Sequence, residues 1–147
     1  RSSFEMPEHS LTAEQVCTLF TGIKNIALAS VTRKNAPRVA PIGALFYRGR
    51  FYIPTMAHAA RTRMLQRNPA VSLTYYEDVD LALILHGEAT VIDAGHIYFE
   101  TLLALHSEVN NGSNITAWGD NGVYLRINAD VIYTFNRHLD RDFTENN

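Results

Sequence analysis

Apolar positions along the chain change period several times, and each change marks the boundary of a short element. Val16, Leu19, Phe20 and Ile23 fall on one helical stripe. Thr12 and Gln15 form a capping box ahead of it, with Leu11 and Val16 as the flanking hydrophobic staple. This predicts a helix opening at Thr12 and ending at Gly22. β-rich Ile26–Thr32 predicts a strand, Arg33-Lys34-Asn35-Ala36-Pro37 a turn, and Arg38–Tyr47 a longer returning strand. Arg48-Gly49 then makes a tight hairpin turn into Arg50–Ile53. Pro41 lies within the second strand and cannot donate to a ladder. It therefore marks a sheet edge, a bulge, or backbone facing something other than a strand.

Ala57–Arg67 predicts a second helix, stopped by Asn68-Pro69. Ala70–Tyr76 and Leu81–Ile92 are strands joined by the acidic turn Glu77-Asp78-Val79-Asp80, and Gly87 marks a bend of the kind found in closed sheets. His96–Val109 predicts a third helix, followed by the polar loop Asn110–Asn114. Asp120-Asn121-Gly122 turns into Val123–Ile127 and then Val131–Phe135. Six or seven strands joined by short turns argue for antiparallel pairing, closed most simply into a small barrel with helices over its openings. The class is α+β, a single domain over 1–147 with its core at about 12–136, without repeats or a linker.

With 46% hydrophobic, 19% charged and 10% aromatic residues, the composition is that of an ordinary soluble globular domain. It excludes collagen, coiled coil and disorder. No apolar run approaches the roughly 20 residues of a membrane-spanning helix, and Arg1-Ser-Ser-Phe-Glu-Met-Pro-Glu-His has no apolar signal core. Cys17 is the one cysteine, which suits a reducing, cytoplasmic setting, and its place beside the helical stripe predicts a packed residue. Asn111-Gly-Ser and Asn114-Ile-Thr then read as loop sequence rather than glycosylation sites.

Charge is more informative. Gln15 to Tyr76 contains no Asp or Glu but nine bases: Lys24, Arg33, Lys34, Arg38, Arg48, Arg50, Arg61, Arg63 and Arg67. Residues 77–147 hold twelve acids against Arg126, Arg137 and Arg141. Such a split in one small domain points to a local site for an anion. Tyr47, Phe51 and Tyr52 lie among these bases, as a nucleic-acid platform would need, but the acidic remainder argues against that partner.

Other chemistry is missing. His9, His58, His86, His96, His106 and His138 include no pair at metal-binding i,i+4 spacing, and one cysteine adds little, so no metal site is expected. There is no Gly-x-Gly-x-x-Gly, P-loop or Gly-x-Ser-x-Gly. Among the histidines, His86 between Leu85 and Gly87 is the foremost candidate for a role beyond packing.

One ordered set of segments resembles a known pattern. Arg38-Val-Ala-Pro-Ile-Gly43, a Gly-centred hairpin, Phe51-Tyr-Ile-Pro-Thr55, Arg61-Thr-Arg-Met-Leu-Gln-Arg-Asn-Pro69, Val71-Ser-Leu and His86-Gly-Glu-Ala89 follow one another. Together they are similar to the flavin-binding split-barrel superfamily of pyridoxamine 5′-phosphate oxidase and the deazaflavin-dependent reductases, over about Thr12 to Phe135. The resemblance implies a Greek-key split barrel and an FMN-binding oxidoreductase acting on a small organic substrate. It places the cofactor at a homodimer interface. Alternatives within the fold are a reductase using the deazaflavin coenzyme F-420, or a non-catalytic flavin or haem protein, with His58 or His86 as the possible haem ligand.

The resemblance also implies site residues. Arg38, Val39, Ala40, Pro41, Ile42 and Gly43 would line the flavin ring, together with Pro54 and Thr55 of the next strand. Ala60, Arg61 and Thr62 would cradle the phosphate at a helix N-terminus, where free N–H groups and the dipole favour anions. Arg63 and Arg67 read as the solvated face of that helix. Trp118, Tyr98 and Tyr124 are candidates to cover the ring from the partner chain, with core packing the alternative for Tyr124.

Three departures stand out. Gly43 replaces the oxidase's lysine near the ring, and Ala82 replaces a family glutamine. The end of the chain, Asp140-Arg-Asp-Phe-Thr-Glu-Asn-Asn147, lacks the oxidase's basic substrate-binding motif. These count against pyridoxamine 5′-phosphate as the substrate. No residue stands out as a catalytic acid or base.

Overall fold

The computed structural model describes residues 9–138 and Arg141; the N-terminal segment and most of the C-terminal departure lie outside the described residues. Both bonds of the predicted capping box form, with Gln15 N donating to the Thr12 hydroxyl and Thr12 N to the Gln15 side chain. The helix they start, α1 (Ala13–Leu19), is shorter than its stripe predicts. Phe20 is its C-cap, and the chain turns at Gly22 with φ 79°. Leu19 and Phe20 are buried, but Ile23 has left the helix and is 36% exposed. Cys17, expected to pack, is exposed. It sits two residues, about 200°, round the helix from Leu19.

The strands are β1 (Lys24–Val31), β2 (Pro37–Tyr47), β3 (Arg50–Met56), β4 (Ala70–Glu77), β5 (Leu81–Ile92) and β6 (Gly122–Asn136). Helix α2 (Ala60–Arg67) follows β3, and α3 (Phe99–Val109) follows β5. A short 3-10 turn, η1 (Ile115–Trp118), precedes β6. All pairings are antiparallel, and the barrel closes in the order β1-β2-β3-β6-β5-β4. The expected α+β barrel is therefore present, with six strands and, among the described residues, three flanking helices.

The two short C-terminal strands read from the sequence are one. Asn128 and Asp130 resemble a turn locally, but β6 runs through them against the whole of β5. A bulge absorbs the extra residue: His86 faces Val131 and Gly87 faces Ala129, leaving Asp130 unmatched and exposed. Gly87 is required there, since a Cβ would lie 2.0 Å from the Asn128 carbonyl oxygen.

Alternation along the strands builds two cores on opposite sides of one wall. Ala44, Phe51, Ile53, Leu125 and Ile127 point into the barrel, where Leu19 and Phe20 of α1 and Leu65 of α2 join them. Their neighbours Leu45, Tyr52 and Tyr124 point outward, against Phe99 and Leu102 of α3 and Ile115 of η1. Helix α3 is thereby fixed on the outside of β3 and β6. Among the described residues no helix is long and apolar enough to cross a membrane.

Candidate functional site

The barrel wall forks between β2 and β3. They pair only from Leu45↔Tyr52 to Tyr47↔Arg50. Before Leu45, β2 follows β1 alone, and after Tyr52, β3 follows β6. From Arg38 to Gly43 the β3 side of β2 thus has no strand partner. An edge of this kind presents unpaired backbone groups, and it tolerates Pro41.

A pocket of about 260 Å³ occupies the fork. It is lined by Ile42 to Leu45 of β2, Pro54 of β3, His106 and Asn110 at the end of α3, Trp118 of η1, and Ile23. Four residues of the sequence-derived set, Ile42, Gly43, Pro54 and Trp118, meet here. Arg38, Val39 and Pro41 are exposed along the free edge and Ala40 is half-buried, outside the pocket lining. Thr55 is buried within β3.

Trp118 is held in place by Asn114. The Asn114 amide donates to Leu103 O at 3.2 Å and to the Ser107 hydroxyl at 2.8 Å, while its oxygen accepts from Thr116 N at 2.9 Å. One side chain therefore joins the end of α3 to η1.

Ala60, Arg61 and Thr62 form the first turn of α2. The N-cap, Ala59, has no side-chain hydrogen bond, and the first intrahelical bond runs from Arg63 N to Ala59 O at 3.1 Å. The three N–H groups before it have no intrahelical acceptor. The Thr62 hydroxyl is buried and donates 2.7 Å to Met56 O, so its side chain fastens α2 to the end of β3. Arg61 is half-buried, without an ion-pair partner among the described residues.

The basic segment does not form one patch. Arg33 and Lys34 lie at one end of β2 and Arg48 and Arg50 at the other, about 30 Å apart at strand spacing. Arg48 lies over the Tyr47 ring. Arg33 and Arg67 border a second recess, about 190 Å³, between the β1–β2 turn and the end of α2. Phe51 and Tyr52 are buried in the two cores and offer no ring face to a base.

Of the aromatic candidates, Trp118 is 52% exposed beside the pocket, Tyr98 packs on Tyr47 and His96, and Tyr124 is fully buried. His86 is exposed on β5, three strands round the barrel from β2; its Nδ1 is 2.6 Å from the Ser72 hydroxyl. No cluster of three metal-ligating residues occurs among the described residues.

The histidine at the pocket is instead His106. It is 3% exposed, with Nδ1 3.0 Å from the Tyr124 hydroxyl and its ring edge-on to Trp118. Burial pushes the His106 pKa down and the Tyr124 pKa up, so both are neutral near pH 7. The sequence signal was a histidine on the buried Phe99–Leu102 face of α3, which as a lone histidine reads as core.

Residues 12–134 match the family model described as pyridoxamine 5′-phosphate oxidase. The chain belongs to this family. No curated protein matches it in sequence. Among solved structures, the heme storage protein HutZ from Vibrio cholerae superposes with TM-score 0.70 at 17% identity, covering 85% of this chain and 97% of that one. An F420 reductase gives TM-score 0.62 at 15% identity, covering 78% and 93%. A pyridoxamine 5′-phosphate oxidase-related, FMN-binding protein from Nostoc punctiforme gives TM-score 0.58 at 11% identity, covering 80% and 75%. At such identities each likeness shows the fold. Of the departures from the oxidase pattern, Gly43 lines the pocket without a side chain and Ala82 is half-buried on β5.

Proposed function

We propose that this chain is an FMN-binding oxidoreductase acting on a small organic substrate, with the flavin ring in the β2–β3 fork. The observation that carries the reading is the pocket itself, where Ile42, Gly43, Pro54 and Trp118 share one lining. The groups present fit the cofactor's chemistry. The phosphate would meet the N–H groups of Ala60, Arg61 and Thr62 and the Arg61 guanidinium, two elements of recognition that favour an anion. Pro54 lies two residues before Met56, to which Thr62 binds, so ring and phosphate sites are held on one rigid strand end. The Arg38–Gly43 edge would border the ring, with Thr55 in the wall behind it. Bound flavin would supply the hydride chemistry; the protein binds the ring, orients it and limits water. No acid or base is required of the side chains lining the pocket.

The same reading includes a homodimer. Ile23 and Trp118, both large, apolar and exposed, border the pocket, and Val39 is 71% exposed on the neighbouring free edge. A second copy would cover them and close the ring from water. Cytoplasmic placement belongs to this proposal too.

A second reading, a reductase using coenzyme F-420, is favoured by one observation. Helix α2 carries Arg61, Arg63 and Arg67 over about 9 Å of rise, and Arg67 continues into the recess beside Arg33. Arg33 and Arg67 at that recess would serve a cofactor with an anionic tail longer than one phosphate.

Absorbance titrations with FMN, coenzyme F-420 and haem, on one purified sample, test these readings. A perturbed flavin band near saturation supports the first, and binding of coenzyme F-420 alone moves the assignment to the second. Binding of haem alone, or of none, overturns both.

A further inference from the structure

The two helix ends at the fork differ in polarity, and the difference fixes how a ligand can lie. The α2 end offers N–H groups and Arg61, whereas the α3 end offers an acceptor. At the α3 end, Asn110 borders the pocket and donates one amide N–H to Ser113 O at 3.2 Å. His106 is the second group. Its Nδ1 faces the Tyr124 hydroxyl at 3.0 Å, and that hydroxyl lies 3.4 Å from Leu102 O. With the tyrosine O–H directed to the Leu102 carbonyl, the tyrosine oxygen accepts from Nδ1–H. The remaining nitrogen, Nε2, is then a bare acceptor. It has no protein partner among the described residues, and His106 borders the open space of the fork.

We infer that His106 is a positioning residue whose Nε2 accepts a hydrogen bond from an N–H at the edge of a planar heteroaromatic ligand in the fork. Tyr124 sets the tautomer that makes this possible. An imide N–H on a flavin ring is a donor of this class, so the inference rests on the proposed flavin site and adds an orientation to it. The N–H-bearing edge faces α3 and the phosphate faces α2.

Two substitutions separate the pocket-facing nitrogen from the structural one. His106→Asn places an amide where Nδ1 lies, keeping the Tyr124 contact but withdrawing from the pocket. His106→Gln extends an amide to the Nε2 position, while Tyr124 keeps Leu102 O. Fluorescence titration with FMN should show binding about tenfold weaker for His106→Asn, the loss of one good hydrogen bond, and within about threefold of wild type for His106→Gln. Nitrogen-15 spectra of the ligand-free protein should show the Nδ1-protonated ring, with the Nε2 signal moving when FMN is added. Equal binding by wild type and His106→Asn, or an Nε2-protonated ring, overturns the role of His106 and leaves the flavin site standing. No FMN binding by the wild type overturns the flavin reading, and this inference with it.

Discussion

The Thr62 hydroxyl donates 2.7 Å to the Met56 carbonyl, and this bond fastens the first turn of α2 to the last residue of β3. The proposed phosphate and ring sites lie on either side of that joint. Thr62→Val keeps the shape and removes the donor. Met56 O still accepts from Ala59 N at 3.1 Å, so the expected loss in a urea melt is small, about 1 kcal/mol. FMN affinity should fall with it, because the helix N-terminus is no longer held in register with Pro54.

Arg61→Ala should weaken FMN by about 1.5–3 kcal/mol, the range of a hydrogen bond to a charged group. Arg63→Ala, on the exposed face of the same helix, is the control and should change binding far less. Equal effects of the two substitutions, measured by titration, would mean that only diffuse charge matters.

Gly87→Ala should be severe. Its Cβ would approach the Asn128 carbonyl oxygen to 2.0 Å, and backbone on the bulged strand must move to admit it. We expect a loss of about 3 kcal/mol or more, or a changed β5–β6 register. Gly43→Ala is the informative contrast. There the nearest atom is the Ile23 Cγ2 methyl at 3.1 Å, on a part-exposed side chain, so stability should change little while pocket volume and flavin affinity fall.

Acid should destabilise the protein in two steps. Burial lowers the His106 pKa below its ordinary 6.5, so the unfolded chain binds the proton first. Stability therefore declines as pH falls below about 6.5, until the folded pKa is passed. Glu77 acts lower. Burial raises its pKa, but the Tyr75 hydroxyl and Arg141 outweigh that and hold it below 4.5. Its contribution is lost only as pH falls below 4.5 and through the folded value. Chemical melts from pH 7.5 to 3.5 should show both declines in wild type and the upper one flattened in His106→Gln.

The barrel was legible because its local signals agree with its closure: the Thr12 cap, the Arg48-Gly49 turn with φ 49° and 80°, and alternation along β5. What misled were signals overridden by distant partners. Asn128 to Asp130 looks like a turn until β5 is laid beside it, and Ile23 looks helical until Gly22 turns the chain. The site was half legible. Pro41 marked the free edge, but the edge exists because β3 leaves β2 for β6, a relation of three strands that no local window contains. His106 escaped notice because it sits on a core-facing stripe, and only Tyr124, eighteen residues on, distinguishes it from packing.

The central claim is that the fork holds a flavin ring while α2 holds its phosphate. Parallel titrations with FMN and riboflavin, which share the ring and differ by the phosphate, test it most directly. The account predicts that both bind and that riboflavin binds at least tenfold more weakly, the loss of one charge-assisted contact. Equal affinities would contradict the phosphate cradle at Arg61, and binding of neither would contradict the flavin site.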